Sequence, residues 1–189
     1  MDENGMFLFE TSWEVCNKVG GIHTVITSKL PSYFQVFGEN MIFIGPDILS
    51  NKKIHPEFIE DKNLYQDWKA HANCHEVRYR TGYWNVPNKP KALLVDFTAL
   101  IPKKDEIFTH LWEVFKLDSL SGEWDYIESA LFGYAIGMVI KSFSEFYLAD
   151  KKVVAQFHEW MTGAGVLFLK ENAPQIATVF TTLISTNIF

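Results

Sequence analysis

Cysteine is scarce in this chain: Cys16 and Cys74 are the only two in 189 residues. Two thiols do not make a disulfide framework, so a reducing cytoplasmic setting is expected. A basic stripe is also missing. Lysine and arginine total 17 against 23 aspartates and glutamates, a net charge of −6, which argues against nucleic acid as a partner. The N-terminus carries Asp2 and Glu3 and no long apolar stretch, so it does not read as a signal peptide. The longest helix-like apolar run, residues 130–140, is too short to span a bilayer and holds two glycines. It reads as a buried helix, and no membrane is expected as a partner. Two fingerprints are absent. No Gly-x-Gly-x-x-Gly follows the first apolar run, which counts against NAD, and no Gly-x-Ser-x-Gly elbow exists for a hydrolase of that class. His71, Cys74 and His75 have roughly metal-like spacing but no clear fourth ligand, so no metal is expected.

What is present is a bulky apolar core and alternating elements. Aromatics make up 15% of the residues, with 16 Phe and 6 Trp. The length fits one domain or one lobe of a larger protein. Apolar runs with strand character lie at 6–9, 41–45, 75–80, 92–97, 153–157 and 176–180. Several are continuous rather than alternating, as in strands covered on both faces. Helical patterns fall between them, at 22–34, 105–115, 124–148 and 161–170. Strands alternating with helices predict an α/β fold, a Rossmann-like three-layer domain with a mostly parallel sheet. Residues 85–90 read as a turn between two strands that adds an antiparallel excursion. The last run, 176–180, reads as a central strand.

Two loops carry candidate chemistry. The first lies in Glu10-Thr-Ser-Trp-Glu-Val-Cys-Asn-Lys-Val-Gly-Gly-Ile-His-Thr-Val-Ile26. A strand that opens into Lys-x-Gly-Gly and then a helix suits an anion. Gly20 and Gly21 lack Cβ and allow close backbone approach. The new helix points free N–H groups and its positive dipole end outward, and Lys18 adds a point charge. The alternative is a plain connector. The second loop is Phe157-His158-Glu159-Trp160, where a strand ends and a helix begins. A neutral imidazole there can donate to a sugar hydroxyl or a carbonyl; the alternative is a structural histidine that caps the helix. Glu10, Glu14 and Glu159 are candidate acids, and a flanking pair would suit glycoside hydrolysis. Solvated loop positions are the other reading of Glu10 and Glu14.

The segment 10–26 closely resembles the start of the animal and fungal type of glycogen synthase, glycosyltransferase family 3. Arg80-Thr-Gly-Tyr-Trp84, Ala92-Leu-Leu-Val-Asp-Phe97, Glu128-Ser-Ala-Leu-Phe-Gly-Tyr134, Val154-Ala-Gln-Phe-His-Glu-Trp160 and Ala177-Thr-Val-Phe-Thr-Thr182 agree in order with later parts of that family. The resemblance covers about 7–182. It implies the N-terminal lobe of a two-lobed GT-B glycosyltransferase, with the active site in the cleft between lobes. It also implies retaining transfer of glucose from UDP-glucose to the 4-hydroxyl of an α-1,4-glucan, with no metal and no other cofactor. By the match, Lys18, Gly20 and Gly21 approach the donor diphosphate, and catalytic His158 faces the transferred glucose. Glu159 and Trp160 shape the loop.

Two departures from the family pattern are expected to matter. The second, C-terminal lobe is absent, so residues 1–189 form one lobe that folds but does not turn over alone. The family also continues the last strand as Thr-Thr-His-Ala-Thr, whereas this chain reads Thr181-Thr-Leu-Ile-Ser185, and residues 183–189 are open to reading as a non-native tail. An exposed face meant for the second lobe would favour self-association as a homo-oligomer. The alternative function is a non-catalytic glucan-binding or interaction module, with Tyr83 or Trp84 stacking on sugars unless packing buries them. A GT-B enzyme using another nucleotide sugar is a third reading, and Trp13-Glu14-Val15 speaks against it.

Overall fold

The computed structural model describes residues 5–48, 55–71 and 77–182. Its centre is a seven-stranded sheet in the order β3-β4-β5-β2-β1-β6-β7. The strands are β1 (Met6–Thr11), β2 (Met41–Pro46), β3 (Phe58–Glu60), β4 (Arg78–Trp84), β5 (Lys91–Asp96), β6 (Lys152–His158) and β7 (Ala177–Thr181). Among the described residues the α-helices are α1 (Gly21–Phe37), α2 (Gln66–His71), α3 (Lys104–Phe115), α4 (Trp124–Tyr147) and α5 (Gly163–Asn172). Pairings β1–β2, β1–β6, β2–β5 and β6–β7 are parallel. The pairs β3–β4 and β4–β5 are antiparallel. The expected α/β architecture and its antiparallel excursion are both present.

Side-chain alternation along the strands divides two cores. Phe7 and Phe9, Ile42 and Ile44, Leu93 and Val95, and Val153, Ala155 and Phe157 pack against α3, α4 and α5. Leu8, Met41, Phe43, Ala92 and Leu94 point the other way, toward Ile22, Ile26 and Leu30 of α1. Successive residues of a strand face opposite sides, so a strand buried on both reads as one apolar run. That is why β1, β2 and β5 are visible in the sequence. The run 130–140 is buried inside α4, as expected. Helix α5 crosses α4 so closely that a Cβ on Gly165 would sit 2.7 Å from the Gly133 carbonyl oxygen.

The sheet differs from expectation at its margins. β7 is an edge strand among the described residues, not a central one, and Val179 and Phe180 are exposed. β3 and α2 have no counterpart in the sequence pattern, because three and six residues are too few to show a period. α2 is held by one large anchor: buried Trp68 stacks on Tyr79 at 4.5 Å and donates from Nε1 to Ser142 Oγ at 3.1 Å. The strand expected at 75–80 runs instead from Arg78 to Trp84, and His75 lies outside the described residues. None of the helices among the described residues is long and apolar enough to cross a membrane.

Candidate active site

In parallel α/β sheets ligands bind beyond the carboxyl ends of the strands. Here β1 and β6 are adjacent and parallel, in register from Met6↔Lys152 to Thr11↔Phe157. Neighbouring strands lie about 4.8 Å apart. The 18–21 loop, which follows β1, and the 158–160 loop, which follows β6, therefore share one rim of the sheet.

The loop after β1 is tied down in its first half and open in its second. Ser12 N donates to the Ile44 carbonyl at 3.1 Å, and Glu14 N donates to Ser12 Oγ at 3.0 Å. Trp13 packs edge-on against Phe132 with ring centres 5.1 Å apart. Val15 and Cys16 are buried, and Gly45 on β2 makes room for them: a Cβ there would collide with the Val15 carbonyl. Burial also pushes the Cys16 thiol well above its ordinary pKa, with the Glu57 charge adding to the effect. From Lys18 to Gly21 the chain is exposed.

The N-terminus of α1 carries no capping side chain of its own, because Gly20 precedes it. Glu14 does that work from six residues upstream. Its Oε2 accepts the backbone N–H groups of Gly20 and His23, each at 2.9 Å. A carboxylate is favoured there by the free N–H groups and by the helix dipole. Glu14 is thus a structural anchor rather than a solvated loop residue. Gly21 stays open, with nothing within 4 Å of the position a Cβ would take.

The second loop places His158 at the last position of β6, 1% exposed. Its Nε2 lies 2.7 Å from Oε1 of Glu10, which is wholly buried on β1. Glu10 is therefore not a loop residue. It belongs to the α1 face of the sheet, two residues along from Leu8. Tyr33 of α1 donates to the same Oε1 at 3.2 Å. Burial first, and the Glu10 carboxylate second, hold the Tyr33 phenol well above its usual pKa, so it remains a donor.

Glu159 turns the chain with φ 64° and ψ 164°, a region that is essentially restricted to glycine. The turn is pinned by Glu159 N donating to the Thr181 carbonyl at 2.8 Å. Thr162 Oγ1 donates to the carbonyls of His158 at 2.9 Å and Glu159 at 3.0 Å. Trp160 is 53% exposed and lines an apolar cavity of about 470 Å³ with Phe180, Leu167 and Tyr126.

A larger polar cavity, about 890 Å³, opens at the carboxyl ends of β2 and β5 on the same rim. Asp47, Arg80, Asp96 and Glu128 line it. Arg80 Nε and Nη2 donate to Asp47 Oδ2 and Oδ1 at 2.9 and 2.6 Å, a bidentate clamp between β4 and the end of β2. Sequence reasoning missed this pair, although Asp47 directly follows an apolar strand, the position where site residues gather. Trp84 is fully buried and bonds Glu57 Oε2 at 3.4 Å, so it offers no stacking surface. Of the suggested metal grouping only His71 falls within the described residues, where no cluster of three or more His, Cys, Asp or Glu is positioned to hold an ion.

The family model for glycogen synthase matches residues 10–186. The chain is 33% identical over 178 residues to the liver glycogen [starch] synthase of Rattus norvegicus, covering 94% of this chain and 25% of the relative. Identity is 31% over 182 residues to glycogen [starch] synthase of Caenorhabditis elegans, covering 95% of this chain and 27% of that protein. It is 28% over 192 residues to glycogen [starch] synthase isoform 2 of Saccharomyces cerevisiae, 96% and 27% respectively. The chain thus spans about a quarter of the length of these relatives.

Proposed function

This chain belongs to the glycogen synthase family, and on that premise we propose that residues 1–189 form the N-terminal lobe of a retaining glucosyltransferase. Its donor is UDP-glucose and its acceptor is the 4-hydroxyl of an α-1,4-glucan. In the reaction the bond from glucose C1 to the diphosphate oxygen breaks, and C1 gains a bond to the acceptor oxygen. The acceptor proton leaves with UDP.

The observation that carries this reading is the shared rim of β1 and β6, which brings the 18–21 loop and His158 together. Glu14 takes the Gly20 and His23 N–H groups at the start of α1, and Lys18 and the open Gly21 stay exposed beside it. Those groups stabilise the negative charge that develops on the departing diphosphate, and electrostatic help of this kind lowers such a barrier more than any other single effect. His158, at the end of β6, faces the transferred glucose. Glu159 sets the chain direction at that point through its backbone, and Trp160 starts the turn that follows. The catalytic cleft closes only against a C-terminal lobe, so this lobe alone binds weakly and does not turn over. A second copy, or that C-terminal lobe, meets its exposed surface.

Labelled glucose incorporation from UDP-glucose into glycogen tests this directly. Incorporation by the full two-lobed protein and none by residues 1–189 is the expected result. No incorporation by either would overturn the enzyme reading in favour of a glucan-binding module, which glucan affinity of the lobe would then reveal.

A further inference from the structure

Glu10 and His158 form a buried pair in which each side chain keeps one polar atom without a hydrogen-bond partner among the described residues. These atoms are Glu10 Oε2 and His158 Nδ1. Leaving such atoms unpaired in a buried setting costs free energy, and native folds rarely tolerate it without a reason. The side chains around the pair do not relieve it. Gln156, beside Glu10 in the β1–β6 register, gives its amide to Thr181 Oγ1 at 3.2 Å. Tyr33, from α1, is committed to Oε1.

The pattern of donors decides which nitrogen of the imidazole carries a proton toward Glu10. One carboxylate oxygen, Glu10 Oε1, receives the Tyr33 hydroxyl and faces His158 Nε2 at 2.7 Å. An ionised carboxylate only accepts, so Nε2 must carry a proton. In the neutral ring, Nδ1 is then a bare acceptor. The ring cannot swing away easily. Its own carbonyl is held by Thr162 Oγ1, and the next residue is pinned to Thr181.

We propose that Glu10 is the positioning residue for His158: it fixes the Nε2–H tautomer and leaves Nδ1 as the bare acceptor of the buried ring. This rests on the reading above, in which His158 faces the transferred sugar. Glu10 itself touches no substrate. Its carboxylate works through the imidazole, as the partners that orient metal-bound histidines do.

Histidine-selective ¹⁵N NMR of the protein reads the tautomer without reference to activity. The expected result is a protonated Nε2 and an unprotonated Nδ1 at His158. Glu10→Leu should give a mixture of tautomers, while Glu10→Gln, which keeps an acceptor oxygen, should retain more of the original form. In the full two-lobed protein, Glu10→Leu should lower the rate of glucose transfer roughly 10- to 100-fold, the range seen for partners that orient an imidazole. Adding it to His158→Ala should cost nothing further. If Glu10→Leu does not fold by circular dichroism, Glu10→Met, which also lacks the carboxylate, carries the same comparison. A proton found on Nδ1 in the parent protein, or a tautomer unchanged in a folded variant that lacks the acceptor oxygen, would overturn the proposal. So would additive losses in the double variant. Absence of glucose transfer by the parent would instead sink the functional reading, while the NMR result would still decide whether Glu10 sets the imidazole.

Discussion

Gly20 donates its backbone N–H to the Glu14 carboxylate at 2.9 Å, so the start of α1 is capped from within the same loop. His23 N–H reaches the same oxygen. Replacing Glu14 by Ala should remove the acceptor from the exposed Gly20 and the part-buried His23 N–H groups and cost about 1 kcal/mol, as losing an N-cap does. Thermal unfolding of the purified variant measures it. An unchanged midpoint would mean that water replaces the carboxylate without loss.

Gly21 is different in kind from Gly20. A Cβ on Gly20 would come within 3.0 Å of Glu14 Oε1, whereas one on Gly21 meets nothing within 4 Å. The fold therefore does not require glycine at 21. Gly21→Ala should leave stability unchanged or raise it by up to about 1 kcal/mol. It should nonetheless weaken UDP binding by the full protein at least several-fold, because the methyl keeps a diphosphate off the backbone. Calorimetric titration with UDP checks the second half, and undiminished affinity would remove Gly21 from the donor site.

Glu159 holds a backbone conformation that costs a side-chain-bearing residue roughly 1–3 kcal/mol. Glu159→Gly should relieve it and raise the unfolding free energy by about 1 kcal/mol. Strain of this kind is retained where a chain must turn for function, so the same change should lower transfer activity by loosening His158. A stability gain with full activity would mark the strain as incidental.

The Arg80–Asp47 clamp should behave as a structural tie. Asp47→Asn leaves a half-buried guanidinium short of its partner and should cost roughly 1–3 kcal/mol. Arg80→Lys should not be a neutral exchange, because an ammonium cannot reproduce two parallel bonds. Urea unfolding at constant slope reads both.

Alkaline pH should destabilise the fold. Burial raises the Cys16, Tyr33 and Tyr65 groups above their ordinary values, and each is neutral when protonated. Below the ordinary thiol and phenol values both states hold these protons, and stability is undiminished. As pH rises through about 8.5 for the thiol and about 10 for the phenols, only the unfolded chain releases them, so stability falls. Unfolding midpoints measured from about pH 7 to about pH 11 should decline in that window. The Cys16 thiol should also react slowly with alkylating reagents at about pH 8 until the protein is unfolded.

Much of the architecture is legible in the sequence because it is written in local pattern. Strands β1, β2 and β5 are continuous apolar runs, since both their faces are covered, β6 is an apolar run broken by Gln156, and α1, α3, α4 and α5 follow strands with helical spacing. Lys18, Gly20, Gly21 and His158 stand at the ends of elements, where the apolar pattern breaks, which is what drew them out as candidates. Chain order alone determined those. What only the tertiary structure decided is which residues meet across it. Glu10 and His158 are 148 positions apart in sequence, and nothing local marks Glu10 as a buried partner rather than a loop acid. Their contact exists because β1 and β6 pair in parallel and in register, an outcome of long-range sheet assembly. Likewise β7 has the apolar pattern of a central strand, yet its place at the sheet edge depends on which neighbours pair with it. Local propensity sets an element; register and burial, which depend on the whole fold, set its partners.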